Sequence, residues 1–136
     1  MSPGERRTSE GSFEKVINNL NLHDHSAFII GEIEGHIAGY LILRGESAER
    51  IKHRAHLVIG VHSNYRKRGL AKNLFEYAFH WAKEKGITRL ELTVMVKNEA
   101  AYNLYSKLGF IIEGVKKNSL LIDGEYMDEF YMAKHL

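Results

Sequence analysis

The spacing of apolar positions changes along the chain, and each change of period marks an element boundary. Phe13, Val16, Ile17 and Leu20 recur at helical spacing behind Ser12, a residue type suited to an N-cap, so the pattern predicts a short first helix. Ala27 to Ile33 and Ile37 to Leu43 read as strands joined by a tight hairpin at Glu34-Gly35, and Gly45 to Lys52 as a polar loop. Ala55, Leu57, Ile59 and Val61 share one face of the next strand. Leu70, Leu74, Tyr77, Ala78 and Trp81 then form a helical stripe, widened by Ala71, Phe75 and Ala82, with Lys72, Glu76, His80, Lys83 and Glu84 on the opposite side and Gly86 as the stop. Leu90, Leu92, Val94 and Val96 alternate, which makes 88–96 a strand. Strand, helix, strand in this order predicts a parallel pair with a right-handed crossover. Asn98 opens a second helix carrying Ala101, Leu104, Tyr105 and Leu108 as far as Gly109, with Phe110 just past the stop. Asp123-Gly124 is a hairpin signal, and Tyr126 to Met132 reads as the last strand.

Composition narrows the class. With 136 residues, 44% of them hydrophobic, the chain suits one compact domain, expected over 12–136 behind a polar, mobile segment at 1–11. Lys plus Arg at 19 against Asp plus Glu at 17 gives no electrostatic case for nucleic acid. No apolar run approaches the ~20 residues of a membrane span, and Met1 to Glu10 does not resemble a signal peptide. The absence of cysteine removes disulfides and thiolate chemistry and fits a cytoplasmic setting. A metal site is not expected despite 8 histidines: His53 and His56 would face opposite sides of a strand, and His23-Asp24-His25 has no third partner nearby. Neither a Walker A loop nor a Gly-x-Ser-x-Gly elbow is present.

The candidate chemistry lies where the strand ending at Val61 meets the long helix. Val61-His62-Ser63-Asn64-Tyr65-Arg66-Lys67-Arg68-Gly69-Leu70-Ala71-Lys72 joins them through a turn rich in backbone donors and positive charge. A helix start offers unpaired amides and a positive dipole end, which together favour an anion. Gly69 permits close approach and Ala71 keeps the next position small, while Arg66, Lys67, Arg68 and Lys72 supply charge. Alone, Arg66-x-x-Gly69-x-Ala71 reads first as a solvated helix start, where basic residues are common. Downstream, one strand and one loop later, stands Asn98-Glu99-Ala100-Ala101-Tyr102-Asn103-Leu104-Tyr105-Ser106-Lys107-Leu108-Gly109-Phe110.

Together these two segments closely resemble the GNAT superfamily of acetyl-CoA-dependent N-acetyltransferases, over roughly residues 26 to 136. The resemblance implies a mixed α/β (α+β) fold: a mostly antiparallel sheet with a splayed central parallel strand pair, flanked by helices. It implies acetyl transfer from acetyl-CoA to a primary amine, on a small molecule or a protein N-terminus, by direct attack in a ternary complex. A second reading is a non-catalytic acyl-CoA-binding or regulatory module. Arg66, Lys67, Arg68, Gly69, Leu70, Ala71 and Lys72 would hold the diphosphate of coenzyme A, while backbone groups near Ile59, Gly60 and Val61 would pair with its pantetheine arm. Gly60 is also what a bulge would use.

Asn98 matches a cofactor-contacting asparagine, although an N-cap role accounts for it as well. Tyr105 matches the tyrosine that protonates the leaving thiolate, although an apolar helical stripe would also bury a tyrosine there. No spacing selects a general base among Glu32, Glu34, His53 and His56, and a water chain can serve. The sequence pattern places only about 25 residues before the first strand, so the family's opening strand is expected to be missing or replaced, for example by a homodimer partner.

Overall fold

The computed structural model describes residues 7–9, 15–23, 25–66 and 69–136. The chain divides into two compact units, Met1–Thr88 and Arg89–Leu136. In the first, β1 (Arg7–Ser9), β2 (Lys15–His23), β3 (Ser26–Ile33), β4 (His36–Gly45) and β5 (Arg54–Val61) pair in chain order, each antiparallel to the next. A 3-10 turn at Ser63–Tyr65 and helix α1 (Leu70–Glu84) follow. The second unit holds β6 (Arg89–Met95), α2 (Glu99–Lys107), β7 (Ile111–Ile122) and β8 (Glu125–His135), with β8 antiparallel to both β6 and β7. Among the described residues, no helix is long and apolar enough to cross a membrane.

One expected element is replaced. Val16, Ile17 and Leu20 belong to a strand and not to a helix, because Lys15–His23 pairs along β3 from Lys15↔Ile33 to His23↔Ser26. Its β-branched pair and three asparagines are poor helix formers, and pairing buries Ile17 and Asn19 on one face while leaving Leu20 exposed on the other. Helical spacing in this segment was a coincidence of composition. Ser12 and Phe13 lie outside the described residues, as does the segment 1–11 apart from Arg7–Ser9, which form β1. Two strands therefore precede the one that begins at Ser26.

The remaining boundaries follow local chemistry. Glu34 (φ 53°) with Gly35 (φ 81°), and Asp123 (φ 50°) with Gly124 (φ 79°), form hairpin turns with two successive positive φ values, the twist that suits antiparallel strands. Both helices stop through paired backbone bonds around a left-handed glycine. Gly86 N–H donates to the Lys83 carbonyl and Ile87 N–H to the Ala82 carbonyl; Gly109 N–H donates to Ser106 and Phe110 N–H to Tyr105.

The core of the first unit lies between one face of β2–β5 and α1. Ala27, Ile29 and Ile33 from β3, Leu41 and Leu43 from β4, and Ala55 and Leu57 from β5 are buried, as are Leu74, Phe75, Ala78 and Ala82 of α1. Leu70, the first residue of α1, enters the sheet deepest. Gly31 and Gly39 stand opposite each other on β3 and β4, and a Cβ on either would lie 2.6 Å or 3.2 Å from a Leu70 methyl group. Burying such a side chain contributes about 1.5–3 kcal/mol, and the glycine pair makes the close approach possible.

In the second unit, Leu90, Leu92, Val94, Phe110 and Met132 are buried. β7 departs twice from regular pairing with β8, at Glu113 and over Lys117–Ser119. The second irregularity is organised by Asp128, whose carboxylate accepts from Asn118 N–H (2.8 Å) and Lys117 Nζ (3.3 Å), with Asn118 at φ 50°. At Glu113 the carboxylate takes a two-pronged bond from Arg89, which also bonds Glu91 through Nε at 2.7 Å, while His135 Nε2 stands 3.9 Å away. Toward the turn at Asp123-Gly124, β7 and β8 run on as a two-stranded ribbon with Leu121, Ile122 and Tyr126 exposed.

Gly39→Ala is expected to destabilise the protein by about 1–3 kcal/mol, read from urea unfolding, because its Cβ would meet the Gly60 carbonyl oxygen at 2.8 Å as well as Leu70. An unchanged midpoint would show that the strand pair relaxes freely. Acid stability gives a second test. Hydrogen bonding to Arg89 holds the Glu113 carboxyl below its usual range, and the Asn118 amide does the same for Asp128. A lowered folded value means stability that is present above the unfolded pKa and lost as pH falls through the folded one. Unfolding midpoints should therefore drop as pH falls below about 4.5, and Arg89→Leu should flatten that slope. Parallel acid profiles for the variant and the parent protein would reject the assignment.

Candidate functional site

The turn joining β5 to α1 is built from its backbone. His62 N–H donates to the Ala38 carbonyl of β4 (2.7 Å), and the His62 carbonyl accepts from Tyr65 N–H (2.9 Å), so the chain leaves β5 through a single tight 3-10 turn. Arg66 then returns to extended backbone, and its Nε donates to the Val61 carbonyl at 3.4 Å. Gly69 precedes α1 at φ 76°, ψ 6°, the left-handed region in which a side chain would be strained. Its carbonyl accepts from Asn73 N–H, the first helical bond, so the amides of Leu70, Ala71 and Lys72 stand ahead of the helical ladder.

The two helix starts differ in how they treat those amides. At α2, Asn98 Oδ1 accepts from Ala101 N–H (3.2 Å) and Glu99 adds negative charge in the first turn. That start caps one of its own amides with its own side chain. At α1, among the described residues, no side chain makes the cap bond and no acidic residue occupies the first turn. Uncapped amides, a left-handed glycine and neighbouring cations suit a diphosphate, since the dipole and the N–H groups act on it together.

Most of the expected site residues have definite places. Ile59, Gly60 and Val61 are half-buried at the end of β5, opposite Leu41, Tyr40 and Gly39. The space over Gly60 is taken by the Tyr40 ring, whose atoms lie 2.7–2.9 Å from where a Cβ would be, so on that face the glycine admits a tyrosine. Phe28 meets the same ring edge-on at 6.1 Å. Lys72 is exposed and lies 3.9 Å from Glu76, one helical turn on. Lys67 and Arg68 lie outside the described residues. Among the base candidates, Glu32 accepts from Asn18 Nδ2 (3.1 Å), Glu34 sits in the hairpin turn, and His53 and His56 are exposed.

In the second unit, Asn98 is the N-cap of α2 and Tyr105 is its most buried residue, with 8% exposure. The α2 stop fixes Tyr105: its carbonyl accepts from Phe110 N–H at 3.0 Å, and the two rings meet edge-on at 6.2 Å. Tyr102 packs on Phe130 of β8 at 5.7 Å and holds the opposite end of the helix. Burial raises the Tyr105 phenol above its ordinary pKa, so it remains protonated through the neutral range. Sequence reasoning missed the roles of His62 and Tyr40. An aromatic residue before a turn carries no spacing signature, and the Tyr40–Gly60 pairing needs the strand register.

The model of the acetyltransferase (GNAT) family matches residues 2–110, most of the chain. The chain belongs to the GNAT family of acetyltransferases. Among curated relatives, it is similar to the L-amino acid N-acetyltransferase AaaT of Escherichia coli K12, with 36% identity over 110 residues, 78% of this chain and 66% of that protein. This chain thus spans just under two thirds of that relative. A crystal structure of a GNAT-family acetyltransferase from Streptococcus pneumoniae matches with TM-score 0.81 and 34% identity over 85% of this chain and 70% of the other. The fold is therefore the mixed, mostly antiparallel α/β fold of the family, as the sequence implied. The structure of yncA of Salmonella typhimurium, solved with its cofactor acetyl-CoA, shares that fold with TM-score 0.76 at 19% identity over 83% of this chain and 66% of that one.

Gly69→Val should weaken coenzyme A binding roughly tenfold or more, since about 1–3 kcal/mol of backbone strain falls on the residue that aims the helix-start amides. Titration calorimetry reads the change, and unaltered affinity would remove the turn from the coenzyme site.

Proposed function

We propose that this chain transfers acetyl from acetyl-CoA to a primary amine, with the turn before α1 holding the coenzyme diphosphate. The uncapped start of α1 behind the left-handed Gly69 is the observation that carries this reading. Gly69, Leu70, Ala71 and Lys72 offer backbone donors, and Arg66, with Lys67 and Arg68, adds charge that a diphosphate would pair with. Ile59, Gly60 and Val61 pair their backbone with the pantetheine arm, and Asn98 adds a contact beside its capping bond. Bound acetyl-CoA supplies the thioester that a neutral amine attacks, giving the amide and the free thiol.

Tyr105 serves as general acid. Its phenol, kept neutral by burial, passes a proton to the departing sulfur, and the proton released from the amine nitrogen restores it. Glu32, Glu34, His53 and His56 share no geometry that singles one out as base, so the amine proton passes through water back to the Tyr105 oxygen, which closes the cycle. Family membership and the likeness to an L-amino acid N-acetyltransferase support an amine acceptor, either a small molecule such as an amino acid or a protein N-terminus. Absence of cysteine favours direct attack over a covalent relay.

Thiol release from acetyl-CoA over a panel of amino acids, polyamines and peptide N-termini tests the activity. Turnover with at least one amine is expected; coenzyme binding with no turnover on any amine would identify a binding module instead. Tyr105→Phe should lower kcat by about 10²–10⁴-fold and leave the KM for acetyl-CoA within a factor of about two. Unchanged kcat would remove Tyr105 from the acid role.

A further inference from the structure

His62 lies outside the Arg66-x-x-Gly69-x-Ala71 pattern, yet it takes part in three hydrogen bonds of the turn among the described residues. Beyond its two backbone bonds, to Ala38 and from Tyr65, its ring Nδ1 accepts from Asn64 N–H at 3.2 Å. The ring also meets Tyr65 edge-on, with centroids 5.8 Å apart and planes at 61°. Since Nδ1 accepts, a neutral ring carries its proton on Nε2. The path from Cα through Cβ and Cγ to Nδ1 has the same number of bonds as the path to Oδ1 of asparagine. His62 therefore closes the turn as an Asx residue would, capping an amide two residues on.

We propose that His62 is a positioning residue for the diphosphate turn. By capping Asn64 it keeps Ser63–Arg66 in the conformation that sends Arg66 back beside Val61 and leads the chain to Gly69. The inference rests on the reading that this turn binds coenzyme A. A ligand meeting a turn that is only partly in its competent form binds more weakly by that fraction. Loss of the cap thus appears as weaker coenzyme binding, with the acetyl-transfer step itself intact. His62 is exposed, so its replacement leaves the core untouched.

Four proteins decide the matter: wild type, His62→Ala, His62→Asn and His62→Gln. Coenzyme A affinity by calorimetry, acetyl-CoA KM and kcat, and exchange of the Asn64 amide are measured on each. His62→Ala should raise Kd and KM about three- to tenfold, the effect of losing one cap, with kcat little changed and the Asn64 amide exchanging faster. His62→Asn, which keeps an acceptor at the same reach, should restore affinity to within about twofold, and His62→Gln, one bond longer, should behave as alanine does. Equal affinity in all four, or an asparagine variant as weak as alanine, would overturn the proposal while leaving the coenzyme reading in place. No binding by the wild type would overturn both.

Discussion

The fit of Leu70 against Gly31 and Gly39 is the constraint on which the first unit depends. Two strands of one hairpin, at Gly31 of β3 and Gly39 of β4, meet there the first residue of α1. Without side chains on the two glycines, the helix start descends onto the sheet and the left-handed Gly69 is held at a fixed height behind it. Gly39 also lies directly across from Val61, so the packing that anchors the helix also braces the end of β5. Core packing and the aim of the helix-start amides are thus one arrangement.

Electrostatics follows from that arrangement. Two helices in one chain treat the same backbone problem in opposite ways, one with Asn98 and Glu99, the other with no side-chain cap among the described residues. Leaving amides unsatisfied is unfavourable unless solvent or a ligand meets them. An anion there gains from groups whose orientation the fold has already fixed, so little reorganisation accompanies binding. At the α2 stop, the Tyr105 carbonyl accepts from Phe110 N–H and the two rings meet edge-on, which fixes the backbone and ring of Tyr105 within its unit.

Much of this was legible in the sequence because it is local. The stripe of α1, the glycine stops at Gly86 and Gly109 and the turns at Glu34-Gly35 and Asp123-Gly124 depend on neighbouring residues alone, and each forms where its pattern stood. The motif around Gly69 and the Asn98 cap were readable for the same reason. What the sequence concealed depends on partners far along the chain. Lys15–His23 is a strand because β3 pairs with it. Tyr40 lies over Gly60 only through the β4–β5 register, and the irregularity at Lys117–Ser119 exists because Asp128, ten residues on, caps Asn118.

The two interruptions of β7 bear on how copies of this chain meet one another. Within its unit β7 has β8 on one side only, and it carries exposed aliphatic residues at Ile111, Val115 and Leu121. A straight strand of that kind would be a template for stacking chains into fibres. Here regular pairing survives only over 111–112, 114–116 and 120–122, so no length of free edge stays in line long enough for a second chain to zip along it. The same Arg89 and Asp128 contacts that shape the C-terminal strands therefore keep β7 from offering one unbroken ladder of free backbone groups.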